Sequence, residues 1–577
     1  MIGSRINDLA AGKMSTEYEI IQAVIYIAIL TALAPVLGGF FARVLKGEKN
    51  FLTPVLGKLE SGIYKLLRID HSLEMNWKQY AFSLLIFNFF GFALVLILQM
   101  TQEFLPLNPN HIRNVDFWLA VNTAISFTTN TNWQSYAGET TLSYLTQMSG
   151  MAVQNFLSAA TGIAVMLALI RGISMRNENT LGNFWTDVVR SVLYLLLPLS
   201  FLFSLVLISQ GVVQTFTGNI NASTIEGAKQ IIPLGPAASQ ISIKQLGTNG
   251  GGFFNANSAF PFENPTFFSN FLQSIAILLI PASLVFTYGK LLKSKTHGLV
   301  IFSVMLIVFV IMLSVSYLSE TSGAHVFGNS VLMEGKEMRF GVFQSELWST
   351  ATTAASNGSV NSMISSMSPL AGLSAMLNIQ LGEIIFGGVG AGIYGMFLFI
   401  LLTVFVSGLM IGRTPEYFGK KIESYEIKWA ITAILIPNAL ILFFSSLAVS
   451  TKAGLSSLLS KGPHGLSEIL YAFSSAAGNN GSAFAGLNAD TTFYNICMGF
   501  SMLVGRFGVI IPVLAIAGSL VKKNIAPATA GTLRVDNSLF GFLLFSIIII
   551  VGALTFFPVL SIGPYLEHLL MNLGKTF

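Results

Sequence analysis

The chain has 577 residues, of which 53% are hydrophobic and only 10% charged, with a mean hydropathy of +0.69 and a net charge of +5. Soluble proteins carry about 25% charged residues, so this composition excludes a charge-covered soluble fold and places the chain in a bilayer. The modest positive balance follows from the loop bias described below and gives no reason to invoke nucleic acid.

The first 17 residues are polar, and Met14 is an alternative start. Residues 18–42 form the first stretch able to span, too long for the apolar region of a signal peptide. A basic loop with Arg43, Lys46, Lys49, Lys58, Lys65, Arg68 and Lys78 leads to a second span at 81–100. The next segment sets a pattern. An apolar run, Asp116–Phe127, is too short to cross about 30 Å of hydrocarbon and is followed by the polar stretch Thr128-Thr129-Asn130-Thr131-Asn132. A third span at 148–170 comes next.

The pattern recurs three times. Span 188–211 precedes the run Ser239–Leu246, the stretch Gly247-Thr248-Asn249-Gly250-Gly251-Gly252 and span 267–289. Span 298–318 precedes Phe343–Ala354, Ala355-Ser356-Asn357-Gly358-Ser359 and span 380–411. Span 429–449 precedes Leu466–Ala477, Gly478-Asn479-Asn480-Gly481-Ser482 and span 491–520; a tenth span, 538–562, closes the chain. With Asn130, Asn249, Asn357 and Asn480 as markers the stretches lie 119, 108 and 123 residues apart. The expected fold is an all-α polytopic membrane protein of about ten helices. Four pore-loop repeats (78–171, 188–291, 298–412 and 427–521) are flanked by accessory spans at 18–42 and 538–562.

Lys and Arg orient the chain. The loop after the first span and its same-side partners carry Arg171, Arg176, Lys290, Lys293, Lys295, Arg413, Lys420, Lys421, Lys428, Lys522, Lys523 and Arg534 besides the seven named above. The opposite loops carry only Arg113, Lys229, Lys244, Lys336, Arg339, Lys452 and Lys461. The positive-inside rule makes the first set cytoplasmic and puts both termini outside, with all four polar stretches.

Each short run reads as a half-helix whose C-terminal, negative dipole end points to the bilayer centre. Ser345-Glu346 and Ser467-Glu468 fit as N-cap and acidic first turn. Irregular backbone at membrane depth must line a wet or protein-buried space, and rings of carbonyls can replace the hydration shell of K⁺. Thr129, Asn130, Thr131, Asn132, Thr248, Asn249, Gly250, Ser356, Asn357, Gly358, Asn479, Asn480 and Gly481 are the candidate K⁺ filter, with Thr, Ser and Asn oxygens as further neutral ligands. Gln134 is placed at its mouth. The stretches hold no carboxylate, which favours a monovalent ion.

Ionisable groups within spans are costly and functional by default. Glu383, at the start of the seventh span, and Arg506, midway along the ninth, are expected to face an inner cavity and to pair. Gly387, Gly388, Gly390 and Gly392 either pack helices closely or break the helix and form a gate below the filter. Arg190 reads as an interfacial anchor, and Cys497 as an inert packing residue.

The motifs at 128–134, 247–259 and 478–486 resemble the Kdp family, the potassium-binding A subunits of bacterial Kdp-type potassium-transporting ATPases, and the likeness runs along nearly the whole chain. The resemblance implies K⁺ as the transported ion, a bacterial inner-membrane location, and partners comprising a P-type ATPase catalytic subunit and two small membrane subunits. The chain itself contains no Gly-x-x-x-x-Gly-Lys-Ser/Thr loop, no Asp-Lys-Thr-Gly motif and no polar domain for nucleotide, so no ATP chemistry is expected in it. A stand-alone K⁺ channel or ion-coupled transporter of the same superfamily is the alternative. An intramembrane enzyme is disfavoured because His71, His111, His297, His325, His464 and His568 are all assigned to loops or termini.

Overall fold

In lipid every backbone donor and acceptor needs an internal partner, and the apolar stretches meet that demand as helices. The computed structural model describes residues 16–326, 328, 332–412, 414–527 and 533–575; Met14 and Arg413 lie outside them. Among the described residues ten helices are long and apolar enough to cross a membrane.

In chain order these begin with α1 (Thr16–Leu45). The short amphipathic α2 (Thr53–Leu66) runs between spans, and α3 (Trp77–Thr101) follows. The first re-entrant helix is α4 (Phe117–Thr128), and the returning span is α5 (Thr146–Ser174). Span α6 (Phe184–Ser209) leads through an antiparallel hairpin, β1 (Ile220–Ser223) and β2 (Lys229–Ile232), to re-entrant α7 (Ala237–Leu246) and span α8 (Phe267–Leu291). Next come span α9 (Lys295–Val326), re-entrant α10 (Gly341–Ala354), α11 (Pro369–Gln380) and span α12 (Ala391–Ile411). A two-residue hairpin, β3 (Glu416–Tyr417) with β4 (Lys420–Lys421), precedes span α13 (Ser424–Ser450), re-entrant α14 (Gly462–Gly478) and span α15 (Thr492–Leu520). Span α16 (Ser538–Ile562) and α17 (Pro564–Asn572) end the described chain.

Burial sorts the spans into two shells. The apolar windows of α5 and α8 are 83% and 78% buried, so they are central; those of α1, α3 and α16 are 17%, 28% and 28% buried and present apolar faces outward. Small residues set the close contacts. A Cβ on Gly38 of α1 would lie 2.5 Å from the Ser283 carbonyl of α8, and Thr287 donates to the Gly38 carbonyl at 3.1 Å. Cys497 is buried between Phe444, Phe473 and Met502.

Four expectations need correction. The seventh span is not continuous over 380–411: α11 ends at Gln380 and α12 starts at Ala391. Positive φ at Gly382, Glu383, Phe386 and Gly390 is incompatible with a helix and breaks it. Ser345 and Ser467 are not caps, because their helices begin at Gly341 and Gly462; their hydroxyls donate to the Gly341 and Pro463 carbonyls one turn back. Lys244 and Lys336 are not loop charges, being paired with Glu263 and Glu320 with side chains fully shielded. His297 and His464 sit in the first turns of α9 and α14, and His325 in the last turn of α9, rather than in loops.

One lysine closes the basic side of the bundle. Lys420 on β4 donates to the carbonyls of Gly172 (2.8 Å) and Leu520 (2.7 Å) and to that of Met175, gathering the C-terminal ends of α5 and α15. A cation suits two negative dipole ends. Burial, then the nearby Lys523 charge, pulls its ammonium down to about 8. Lys420→Met takes this donor from the Gly172 and Met175 carbonyls, at about 1–3 kcal/mol each, while the Leu520 carbonyl keeps the Lys523 amide at 3.1 Å; the thermal unfolding midpoint in detergent is expected to fall, and an unchanged midpoint contradicts the clamp.

On the other side, His464 Nδ1 contacts Glu567 Oε1 at 2.7 Å and Nε2 contacts Ser365 Oγ at 2.9 Å, tying α14 to α17. Burial lowers the imidazole pKa, but the Glu567 hydrogen bond and charge outweigh it and hold it above its usual value. This stabilisation is complete below about pH 6.5 and is lost as pH rises through the raised value. His464→Gln is expected to abolish that part of the pH dependence of thermal stability.

Candidate ion site: four loops in one ring

Each re-entrant helix ends in the same backbone device. An amide folds back onto the carbonyl five residues earlier: Thr131 to Ser126 at 2.9 Å, Asn249 to Lys244 at 2.9 Å, Asn357 to Thr352 at 3.0 Å and Asn480 to Ser475 at 2.8 Å. The residues on either side all have positive φ. They are Asn130 (65°) and Asn132 (53°), Thr248 (50°) and Gly250 (83°), Ser356 (54°) and Gly358 (87°), and Asn479 (61°) and Gly481 (100°). A φ whose sign alternates residue by residue turns successive carbonyls to one side of the strand. A strand of uniform handedness sends them to opposite sides. Such backbone can line a tube with oxygen. The register also corrects the sequence marker: Thr131, not Asn130, is the counterpart of Asn249, Asn357 and Asn480.

The loops touch in chain order and close on themselves. A Cβ on Gly250 would lie 1.9 Å from the Asn357 carbonyl, one on Gly358 2.1 Å from that of Asn480, and one on Gly481 2.0 Å from that of Thr131. The first and second loops join through side chains instead. Asn130 Nδ2 donates to the Thr248 carbonyl at 2.8 Å, and Asn249 Nδ2 donates to Asn130 Oδ1 at 2.6 Å. Gln134 adds a second clasp, donating to the Gly252 carbonyl at 3.0 Å while accepting from the Gly252 amide at 2.8 Å.

The asparagines brace the ring. Asn357 Nδ2 donates to the Lys244 carbonyl at 3.1 Å, Asn480 Nδ2 to that of Thr352 at 3.0 Å, and Asn479 Nδ2 to Thr131 Oγ1 at 2.9 Å. Asn132 Nδ2 donates to Asn155 Oδ1 of α5 at 2.6 Å. The Asn357 and Asn480 oxygens accept from the Ser359 and Ser482 amides at 2.9 and 3.1 Å, which commits them to the loop rather than to an ion. Thr129 is a helix end: its hydroxyl bonds to the Ile125 carbonyl and to Thr131 Oγ1. What remains to face an ion is chiefly backbone carbonyl oxygen.

The strain of this backbone is held from behind. Thr248, β-branched at φ 50°, is an outlier. Its hydroxyl donates to the Gly247 carbonyl at 2.8 Å and accepts from the Val389 amide at 3.0 Å. Trp348 Nε1 donates to the Ser359 carbonyl at 2.9 Å, and the Tyr471 and Ser482 hydroxyls are 2.7 Å apart.

Val389 belongs to the break between α11 and α12, so the break lies directly against the ring. Its glycines are packed tight. A Cβ on Gly387 would lie 1.7 Å from the Glu383 carbonyl, one on Gly392 2.6 Å from the Gly387 nitrogen, and one on Gly390 2.1 Å from the Gly162 carbonyl of α5. Gly388 faces Ser356 and Thr248. A cavity adjoins this floor, walled by Ser356 and Asn479 of the third and fourth loops together with Glu383, Gly388, Asn438 and Arg506. Glu383 and Arg506 line the same cavity, but no ion pair within 4.0 Å joins them. Glu383 Oε1 is buried without a hydrogen-bond partner.

Sequence reasoning missed the buried pair of Lys244 and Glu263 behind the second loop. Its signal was a solitary lysine in the apolar run Ser239–Leu246, where only a buried partner makes a charge tolerable.

Three comparisons with known proteins bear on this site. The profile of a family described as “Potassium-transporting ATPase A subunit” matches residues 24–569. A “Potassium-transporting ATPase potassium-binding subunit” of Leptospira interrogans serogroup Icterohaemorrhagiae is 54% identical over 567 residues, 98% of this chain and 100% of that protein. One of the same name from Sorangium cellulosum is 52% identical over 573 residues, 96% and 99% of the two chains. The potassium transporter TrkH from Vibrio parahaemolyticus superposes with a TM-score of 0.51 at 13% identity, covering 85% of this chain and 96% of that one, a likeness of fold alone.

Gly481→Asp places a side chain 2.0 Å from the Thr131 carbonyl at φ 100°. Monovalent-cation affinity is expected to fall about tenfold or more, ~1.4 kcal/mol, with weaker discrimination between K⁺ and Na⁺. Wild-type affinity and selectivity in a well-assembled variant contradicts the ring as the binding site.

Proposed function

Since this chain belongs to the potassium-transporting ATPase A subunit family, we propose that it binds K⁺ from the external side in a filter made by its four loops. It then passes the ion into an ATP-driven uptake complex. The observation that carries this reading is the positive–negative–positive φ pattern, repeated four times and closed into a ring. Ring carbonyls replace water around a dehydrated monovalent cation, and the C-terminal ends of α4, α7, α10 and α14 add partial negative charge. The filter ligands are the backbone oxygens around Asn130–Asn132, Thr248–Gly250, Ser356–Gly358 and Asn479–Gly481, with Gln134 fastening the mouth.

Glu383 and Arg506 then form the polar wall of the vestibule below. An ion leaving the ring meets the glycine-rich floor of Gly387, Gly388, Gly390 and Gly392, where we place a gate or a branch in its path. The ATPase is a separate P-type catalytic subunit, accompanied by two small membrane subunits. The chain itself supplies ion selection rather than catalysis. Membership of the family supports a bacterial inner-membrane placement, and the Lys/Arg bias puts both termini on the periplasmic side.

The test is ATP hydrolysis by material purified through a tag on this chain in mild detergent, with K⁺ titrated against Na⁺. Hydrolysis stimulated by low K⁺ and not by Na⁺ is expected. K⁺ flux in liposomes with no hydrolysis overturns the reading in favour of a self-sufficient channel or transporter.

A further inference from the structure

Resting on that filter reading, we propose that the buried Lys244–Glu263 ion pair is a positioning device. It acts through Asn257 to hold the Gly250 carbonyl and so sets the second loop's share of ion selectivity. Lys244 lies on α7 and Glu263 in the segment leading to α8. Both side chains are fully shielded, with Nζ and Oε2 2.5 Å apart. The free oxygen of Glu263 accepts from the Phe254 amide at 2.9 Å, and the second direction of Lys244 Nζ goes to Asn257 Oδ1 at 2.7 Å.

That contact fixes which way the Asn257 amide points. An ammonium can only donate, so the atom facing it is the oxygen, and the NH₂ group faces the other way. It donates to the Gly250 carbonyl at 2.8 Å. Asn257 is itself held at φ 52°, with Oδ1 also accepting from the Ser258 amide at 2.8 Å. The chain Glu263–Lys244–Asn257–Gly250 therefore runs unbroken from a buried charge to a ring carbonyl. Lys244 also serves the ring through its backbone, whose carbonyl receives the Asn249, Gly250 and Asn357 donors.

The other three quadrants have no such tether. Among the described residues, no protein hydrogen bond reaches the carbonyls of Asn132, Gly358 or Gly481, which occupy the same place in their loops. At this level three carbonyls accept no protein hydrogen bond among the described residues and one is held by an amide. A carbonyl that already accepts a hydrogen bond offers less of its field to a cation. The second loop is therefore the point where the ring departs from fourfold symmetry. The charge pair reinforces that departure, because without the ammonium only the Ser258 amide and hydroxyl hold the Asn257 oxygen in place.

Asn257→Asp keeps the acceptor for Lys244 and removes the donor to Gly250. Lys244→Met with Glu263→Met removes both charges together and leaves neither unpaired, an exchange that buried ion pairs tolerate. The measured quantities are the half-saturating K⁺ for ATP hydrolysis by the purified complex, the maximal rate, and the ratio of Rb⁺ to K⁺ response. Both variants are expected to shift half-saturation by about tenfold, as for loss of one hydrogen bond of a charged network. They should also change the Rb⁺/K⁺ ratio, with the maximal rate within about twofold of wild type. Assembled variants with wild-type half-saturation and Rb⁺/K⁺ ratio overturn the proposal. Failure of both to assemble makes the pair a folding element and overturns it equally. Gly358→Ala, whose Cβ would meet the Asn480 carbonyl at 2.1 Å, is the control. If it too leaves the K⁺ response untouched, the filter reading fails; if it shifts the response while Asn257→Asp does not, only the ion-pair proposal fails.

Discussion

The constraint on which the structure turns is that four pieces of chain hold alternating left- and right-handed backbone inside a medium that tolerates no loose polar groups. Each left-handed non-glycine residue costs of order 1–3 kcal/mol, and Asn130, Asn132, Thr248, Ser356 and Asn479 are five of them. A geometry this costly persists only if its surroundings over-determine it. The re-entrant helices supply the first support through the repeated backbone bond to the carbonyl five residues earlier, and the asparagine amides supply the second by lashing each loop to its neighbour. The spans α5 and α8, the most buried of the ten, supply the third by fixing the helices in place. Carbonyl direction is thereby set in advance, so a dehydrated ion would meet oxygen without the protein reorganising around it.

The same economy explains the broken seventh span. A continuous helix would bring side chains against the loops; the break brings backbone, and glycine allows backbone to approach backbone within contact distance at Gly162, Gly387 and Gly390. Polar walls and an unpartnered carboxylate oxygen then gather at a cavity touching the third and fourth loops. Ring, floor and cavity form one contiguous unit. On the opposite, lysine-rich side, Lys420 draws the ends of α5 and α15 together, which holds in register the two spans that follow the first and fourth loops.

Much of this was legible in the residues because it depends on local composition. Ten apolar stretches, four short runs and four polar loops follow from hydropathy and length, and the loop charges follow from counting. The rest depends on through-space relations. Asn and Gly permit positive φ, yet Thr248 and Ser356 adopt it because of what surrounds them, which no residue type announces. The shift of register from Asn130 to Thr131 had the same origin: the first loop carries asparagines on both sides of the equivalent position. The glycines at 387–392 left a helix break as one of two readings, but its extent over 381–390 was hidden because the apolar residues there raise the average hydropathy of the whole stretch. Ser345 and Ser467 looked like caps until the helices proved to begin a turn earlier. Lys244, counted as a loop charge, lies 19 residues from a partner that only the fold brings to it.

The most direct test of the central claim is calorimetric titration of K⁺ into the purified, nucleotide-free protein with its partners, followed by competition with Rb⁺ and Na⁺. Saturable K⁺ binding that Rb⁺ displaces and Na⁺ does not, and that Gly358→Ala weakens, is the expected result. Binding indifferent to the choice of monovalent ion, or unaltered by that substitution, would contradict a selective site built from the four-loop ring.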